Sequence, residues 1–211
     1  MSHCFAGRLR YCVFIMILLI CPTLNASENH FDPFPITYER LIEAALLQTQ
    51  KHVFYDPTYF KIPYPNGDVP SDKGVCTDVI IRAYRSIGID LQKLVHEDMK
   101  KYFSLYPSLW GLKKTDTNID HRRVPNLQVF FKRHGKTLAI TNASKDYQPG
   151  HIVTWDIGGQ YKSIPHIGLV VNRKSADSLR YLVVHNIGAG PQCEDILFEY
   201  PITGHYFYLP T

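Results

Sequence analysis

The sequence predicts an α+β domain, with helices from the N-terminal half packed on an antiparallel sheet from the C-terminal half. Three observations carry that expectation. Apolar residues recur at helical spacing in segments between Thr37 and His134. After Gly135 the pattern changes to short β-branched or aromatic runs with turn residues between them. Helices therefore precede strands in the chain, without the alternation of a parallel α/β sheet.

In chain order the first feature is a leader. Arg8 and Arg10 flank the apolar run Tyr11 to Cys21, Pro22 breaks it, and Leu24-Asn25-Ala26 sets a small residue before Ser27. That is the order of a secretory signal peptide. The run is roughly half the ~20 residues that a bilayer span needs. Bulky Ile20 before Cys21 fits a lipidated cysteine poorly. Residues 1–26 are expected to be removed near Ala26–Ser27, leaving residues 27–211 as a single periplasmic or secreted domain with no stable membrane span.

Thr37 to His52 places apolar residues at 41, 42, 45 and 46, with acids early and a base late, which predicts a helix. Val53 to Lys73 holds several prolines and the motif YPNGD, with no period. It predicts a long loop of the kind that lines binding sites, and Tyr55 or Asp56 is placed to shape a pocket there. In GVCTDVIIRAYRSIGIDL, the stripe Val79, Ile80, Ala83, Tyr84 and Ile87 predicts a helix that Gly88 stops. Asp90 caps a second one, with Leu91, Leu94, Val95, Met99 and Tyr102 on one side. The polar stretch Asp116 to Arg123 leads to a helix with Pro125 in its first turn and Gly135 at its end. Strands are expected at Ile152 to Ile157, Ile167 to Val171, Tyr181 to Val184 and Tyr206 to Leu209.

The formal net charge is only +4, and Arg8 and Arg10 depart with the leader. No dense basic stripe remains, so nucleic acid is not an expected partner. Cys4, Cys12 and Cys21 also leave, so the mature cysteines are Cys76 and Cys193.

Cys76 heads a helix, His166 opens the strand PHIGLVV and His185 closes YLVVH. A helix N-terminus favours the thiolate, so an ionised sulfur is expected. A nearby imidazole takes the thiol proton and returns it to a leaving amine. A second histidine, or Asn186, holds that ring in the useful tautomer, and N–H groups at the helix start receive the oxyanion. Other readings stand beside this one. Cys76 shares a helical face with Ile80, Ala83 and Ile87 and reads equally as a core filler, as do the strand histidines. Cys76 and Cys193 suit one disulfide in an oxidising compartment, or with both histidines a zinc site, although no CxxC pairing is present. HEDMK at His96 fails the HExxH zinc pattern, and the glycine pairs near 158 and 188 lack a phosphate-cradle signature. Asp120-His121-Arg122-Arg123 reads as a bidentate carboxylate grip or as a loop tied by its own ion pairs.

The stretches GVCTDVIIRAYRSIGIDLQKLVHEDM, DTNIDHRRVPNL, PGHIVTWDIGG, PHIGLVV, VVHNIGAGPQCED and ITGHY closely resemble a bacterial domain-of-unknown-function family, the one numbered 1287. The likeness runs from about Leu41 to Leu209. That family in turn looks like a distant relative of NlpC-type papain-like cell-wall peptidases, on whose three catalytic positions Cys76, His166 and His185 fall. The sequence departs from those peptidases in reading VCTD where they carry a DCSG-like motif, and His151 stands where the family pattern has Asp. The resemblance implies a papain-like, NlpC-type fold and a cysteine amidase or endopeptidase acting on peptidoglycan peptides through a Cys-His-His triad. On their own chemistry Asp120, Arg122, Arg123 and Asn186 are expected to bind substrate, and no cofactor or metal is expected. An acyl or amide transferase and a catalytically inactive cell-wall binding module are the alternatives on the same fold. No motif identifies an inhibitor or immunity protein as a partner.

Overall fold

Helical spacing decides which faces of the N-terminal segments are buried. The computed structural model describes Met1, residues 36–160 and residues 162–210. Apart from Met1, the expected leader lies outside the described residues. In α1 (Ile36–Gln48), Tyr38, Leu41, Ile42 and Ala45 turn inward. In α2 (Cys76–Ser86), Cys76, Val79, Ile80, Ala83 and Tyr84 do the same. The Asp78 carboxylate accepts the Val75 N–H at 2.7 Å, satisfying one of the free donors at the start of α2. Gly88, at φ +83°, takes the left-handed turn that ends it, as expected of a glycine just past a helix.

The Asp90 carboxylate accepts from Lys93 N–H at the start of α3 (Leu91–Lys101), as predicted. Pro125 lies in the first turn of α4 (Val124–His134), and Gly135 follows its last residue. Leu127, Phe130 and Phe131 carry the buried face of α4. The Val53–Lys73 loop is bracketed by a two-residue parallel pair, β1 (Phe54–Tyr55) and β2 (Lys73–Gly74), too short to leave a period in the sequence.

Among the described residues the larger sheet has six strands: β3 (Lys136–Thr137), β4 (Ile152–Asp156), β5 (Pro165–Lys174), β6 (Tyr181–His185), β7 (Gln192–Glu194) and β8 (Ile202–Phe207). Their spatial order is β3-β8-β4-β5-β6-β7, and every neighbouring pair is antiparallel. The domain is α+β, as the sequence predicts. The last strand begins at Ile202 rather than Tyr206, because Gly204 interrupts the apolar alternation that marks a strand.

Both sheet faces are covered. Ile152, Ile167, Leu169, Val171, Val184 and Tyr206 meet the helices. Val153, Trp155, Val170 and Val183 meet Tyr147, Ile196 and Leu197 on the other side. Burial on two faces explains why β5 and β6 read as continuous apolar runs. It also sorts the site: Ile167 belongs to the helix face, whereas His166 pairs in register with Trp155, whose ring belongs to the second core.

Candidate active site

Cys76 occupies the first position of α2 and is buried against the helix-face core. It borders a cleft of about 240 Å³ lined also by Tyr55, Pro57, Val75, Arg123 and Pro165. Burial pushes its thiol up to about 12. The main-chain N–H groups of Ile167, Thr77 and Cys76 itself pull in the other direction but do not outweigh desolvation. The resting sulfur is therefore a neutral thiol rather than the thiolate expected from its helix position. It lies against the amide of Ile167, the residue after His166. Among the described residues no hydrogen bond joins it to either imidazole.

The two strand histidines do meet. His166 Nε2 and His185 Nδ1 are 3.0 Å apart, with ring planes crossed at 88°. Both rings are buried, and burial lowers His166 to about 3. Gly168 makes room for this contact. A Cβ there would stand 2.5 Å from Val183 Cγ1 and 3.3 Å from His185 Cβ. His185 Nε2 continues to the Glu194 carboxylate at 2.9 Å. Sequence reasoning missed Glu194. The signal available was the spacing of Gln192 and Glu194 on a short strand, obscured by the surrounding turn residues. Of the two orienters considered, His185 is the one bonded to His166. Asn186 turns away, reaching the Gly74 carbonyl at 3.4 Å and accepting the Gly188 N–H at 3.1 Å. It ties the end of β6 to the segment that leads into Cys76.

The Asp120–Arg123 cluster divides into separate roles. Arg122 grips Asp78 through Nε–Oδ1 at 2.9 Å and Nη2–Oδ2 at 3.0 Å, both side chains being almost wholly buried. Its bidentate capacity is spent inside the protein, steadying the carboxylate that caps α2. Asp120 Oδ2 accepts the Asp116 N–H, and burial raises its carboxyl to about 6. Arg123 sits over Trp110, 4.0 Å from the ring centroid, and 3.8 Å from Asp120 Oδ1. Of the two arginines it has the looser ion pair, and both border the Cys76 cleft. His121 is buried with Nδ1 unpartnered, and burial lowers it to about 3.

Tyr55 borders the same cleft, whereas Asp56 is held by Thr58 and by Lys73 at 2.9 Å. His151 makes a second histidine pair, Nδ1 to His205 Nε2 at 2.8 Å. Cys76 and Cys193 are both free thiols. Among the described residues no group of His, Cys, Asp or Glu is arranged to hold a metal ion, so the four residues weighed as zinc ligands do not converge. No described helix is long and apolar enough to cross a membrane.

Fold and site thus define an α+β domain with a helix-heading thiol beside a strand that carries one of two bonded imidazoles. The family described as "Domain of unknown function (DUF1287)" matches residues 42–208, and the chain belongs to it. The chain is 51% identical over 168 residues to the uncharacterized protein YijF of Escherichia coli (strain K12), a match covering 80% of each chain. No solved structure matches.

Proposed function

We propose that the chain is an exported cysteine amidase or endopeptidase that hydrolyses amide bonds in peptidoglycan peptides, on an NlpC-type papain-like fold. The 3.0 Å contact between His166 Nε2 and His185 Nδ1 carries this reading. It gives the first ring an orienter and leaves its Nδ1 without a partner among the described residues, on the strand whose next amide faces the Cys76 sulfur.

Cys76 Sγ attacks the substrate carbonyl as its proton passes to His166 Nδ1. No hydrogen bond joins sulfur and ring in the ligand-free site, and His166 emerges on the sheet face that carries Trp155. The step therefore requires substrate to bring ring and sulfur together around the start of β5. The N–H groups that begin α2 receive the oxyanion. His166 then protonates the departing amine as the C–N bond breaks, leaving a thioester. Water, deprotonated by the same ring, releases the acid and restores the thiol. A neutral thiol and a neutral imidazole suit proton transfer concerted with attack, rather than a standing ion pair. Arg123 at the cleft offers a cation to a substrate carboxylate.

A catalytically inactive wall-binding module is the reading favoured by the buried thiol and its missing bond to imidazole. One experiment separates the two. Wild type, Cys76→Ser and Cys76→Ala are incubated with purified peptidoglycan fragments, and newly released amines are counted by mass spectrometry. Release by wild type and a loss of roughly 10³-fold or more in both folded variants is expected. Equal release by all three, or none by any, overturns the catalytic reading.

A further inference from the structure

A proton count along the buried polar chain assigns a part to Glu194. This residue sits on β7 opposite Val183, two positions along from Gln192, the register partner of His185. Its side chain therefore emerges on the same sheet face as His185, within the diagonal reach that neighbouring strands allow. The contacts run from Glu194 Oε2 to His185 Nε2 at 2.9 Å, then from His185 Nδ1 to His166 Nε2 at 3.0 Å. The outer end is open to water, with the Glu194 side chain 48% exposed, whereas the His185 side chain is fully buried.

An ionised carboxylate only accepts hydrogen bonds, so His185 Nε2 must hold a proton. A neutral His185 then has its lone pair on Nδ1, and the proton between the two rings must sit on His166 Nε2. A neutral His166 with that proton in place has its own lone pair on Nδ1. One carboxylate at the rim thus sets the tautomer of two rings in succession. Without it, His185 is free to carry its proton on Nδ1 and donate inward, which moves the His166 proton to Nδ1 and blocks the nitrogen that would act as base.

We propose that Glu194 is a positioning residue that holds His166 in its proton-accepting form through His185. Its consequence for rate rests on the amide-cleavage reading above, whereas its consequence for the tautomers does not. The groups facing the chain are few. Asp195, Glu199 and Tyr200 share with His185 and Glu194 the cavity at its outer end. Asp195 is already paired with Arg180 at 2.6 Å. Trp155 stands beside His166 with its indole N–H given to the Leu197 carbonyl.

The test reads the tautomers directly. Protein labelled with ¹⁵N-histidine is examined by NMR in the absence of substrate, and the rings are assigned by loss of signal in His166→Gln and His185→Gln. Wild type is expected to show a pyridine-type Nδ1 and a protonated Nε2 on both rings. Glu194→Ala and Glu194→Gln are expected to lose that uniform state, and Glu194→Asp to recover part of it. A Gln amide can donate to His185 Nε2, the wrong sense. Wild-type tautomers in both Glu194→Ala and Glu194→Gln, or a protonated Nδ1 on His166 in wild type, overturn the proposal. Where the wild type hydrolyses peptidoglycan amides, kcat of the Gln variant should fall roughly 10²–10⁴-fold with KM little changed. Tautomers that shift as expected in a protein without hydrolytic activity uphold the role of Glu194 and overturn only the amide-cleavage reading.

Discussion

Arg122 and Arg123 are adjacent in sequence and differ in what surrounds their charge. Arg122 faces Asp78 with both side chains out of water, and their attraction is matched by paired hydrogen bonds. Removing one member leaves an uncompensated buried charge, which costs about 3–5 kcal/mol. Arg122→Ala is therefore expected to lower unfolding free energy by that amount in urea denaturation, while Arg123→Ala is expected to cost less, since its ion pair is longer and makes no direct hydrogen bond. Arg123→Ala should instead weaken binding of a carboxylate-bearing substrate, because its contacts are a ring face and a longer ion pair. Equal destabilisation by both substitutions would refute the division of roles.

Among the elements, α3 and α4 are joined by a polar tie. Asp98 on α3 accepts from Arg133 at 2.8 Å and Tyr106 at 2.7 Å, and pairs with His134 at 2.9 Å. Burial by itself would raise this carboxyl, but the bonds from Arg133, Tyr106 and His134 hold it at about 2. Its folded value lies below the unfolded one of about 4, so the stabilisation is present above pH 4 and disappears as pH falls through about 2. On the order of 2 kcal/mol follows from that shift. Asp98→Asn should thus be less stable than wild type at pH 6, with the gap closing between pH 4 and pH 2 in thermal unfolding followed by circular dichroism. A gap independent of pH would show that packing, not charge, joins the helices.

The whole molecule stores several histidines as neutral rings. Burial lowers His121 and His166 to about 3 and His151 to about 4. Below the unfolded value of about 6.5 the unfolded chain binds protons that these rings refuse. Stability is then lost as pH falls from 6.5 towards 4, with a slope approaching roughly 4 kcal/mol per pH unit for three such groups. Asp120, raised to about 6 by burial, acts in the opposite sense between pH 6 and pH 4, one group against three. Urea midpoints measured from pH 7.5 to pH 5 should decline steadily, and substituting His121 with Gln should make the decline shallower. A flat profile would mean that the rings take up protons without unfolding.

Local pattern was enough for the four helices, the Gly88 and Gly135 stops, the Asp90 cap and the change of period at Gly135, because each depends on neighbours within a few residues. The helix-heading position of Cys76 and the strand positions of His166 and His185 were legible for the same reason. Register and desolvation were not. The β5–β6 alignment, with Gly168 letting β6 approach at Val183 and His185 Cβ, selects His185 over Asn186 as the partner of His166. The short strand β7 adds Glu194 to the chain, and a buried Asp78 engages Arg122. Burial, which outweighs the pull of N–H groups on the Cys76 sulfur, leaves that sulfur protonated where its helix position alone suggested an anion. These outcomes depend on which distant segments share a sheet face and on how much water they exclude, and neither quantity is carried by any single stretch of residues.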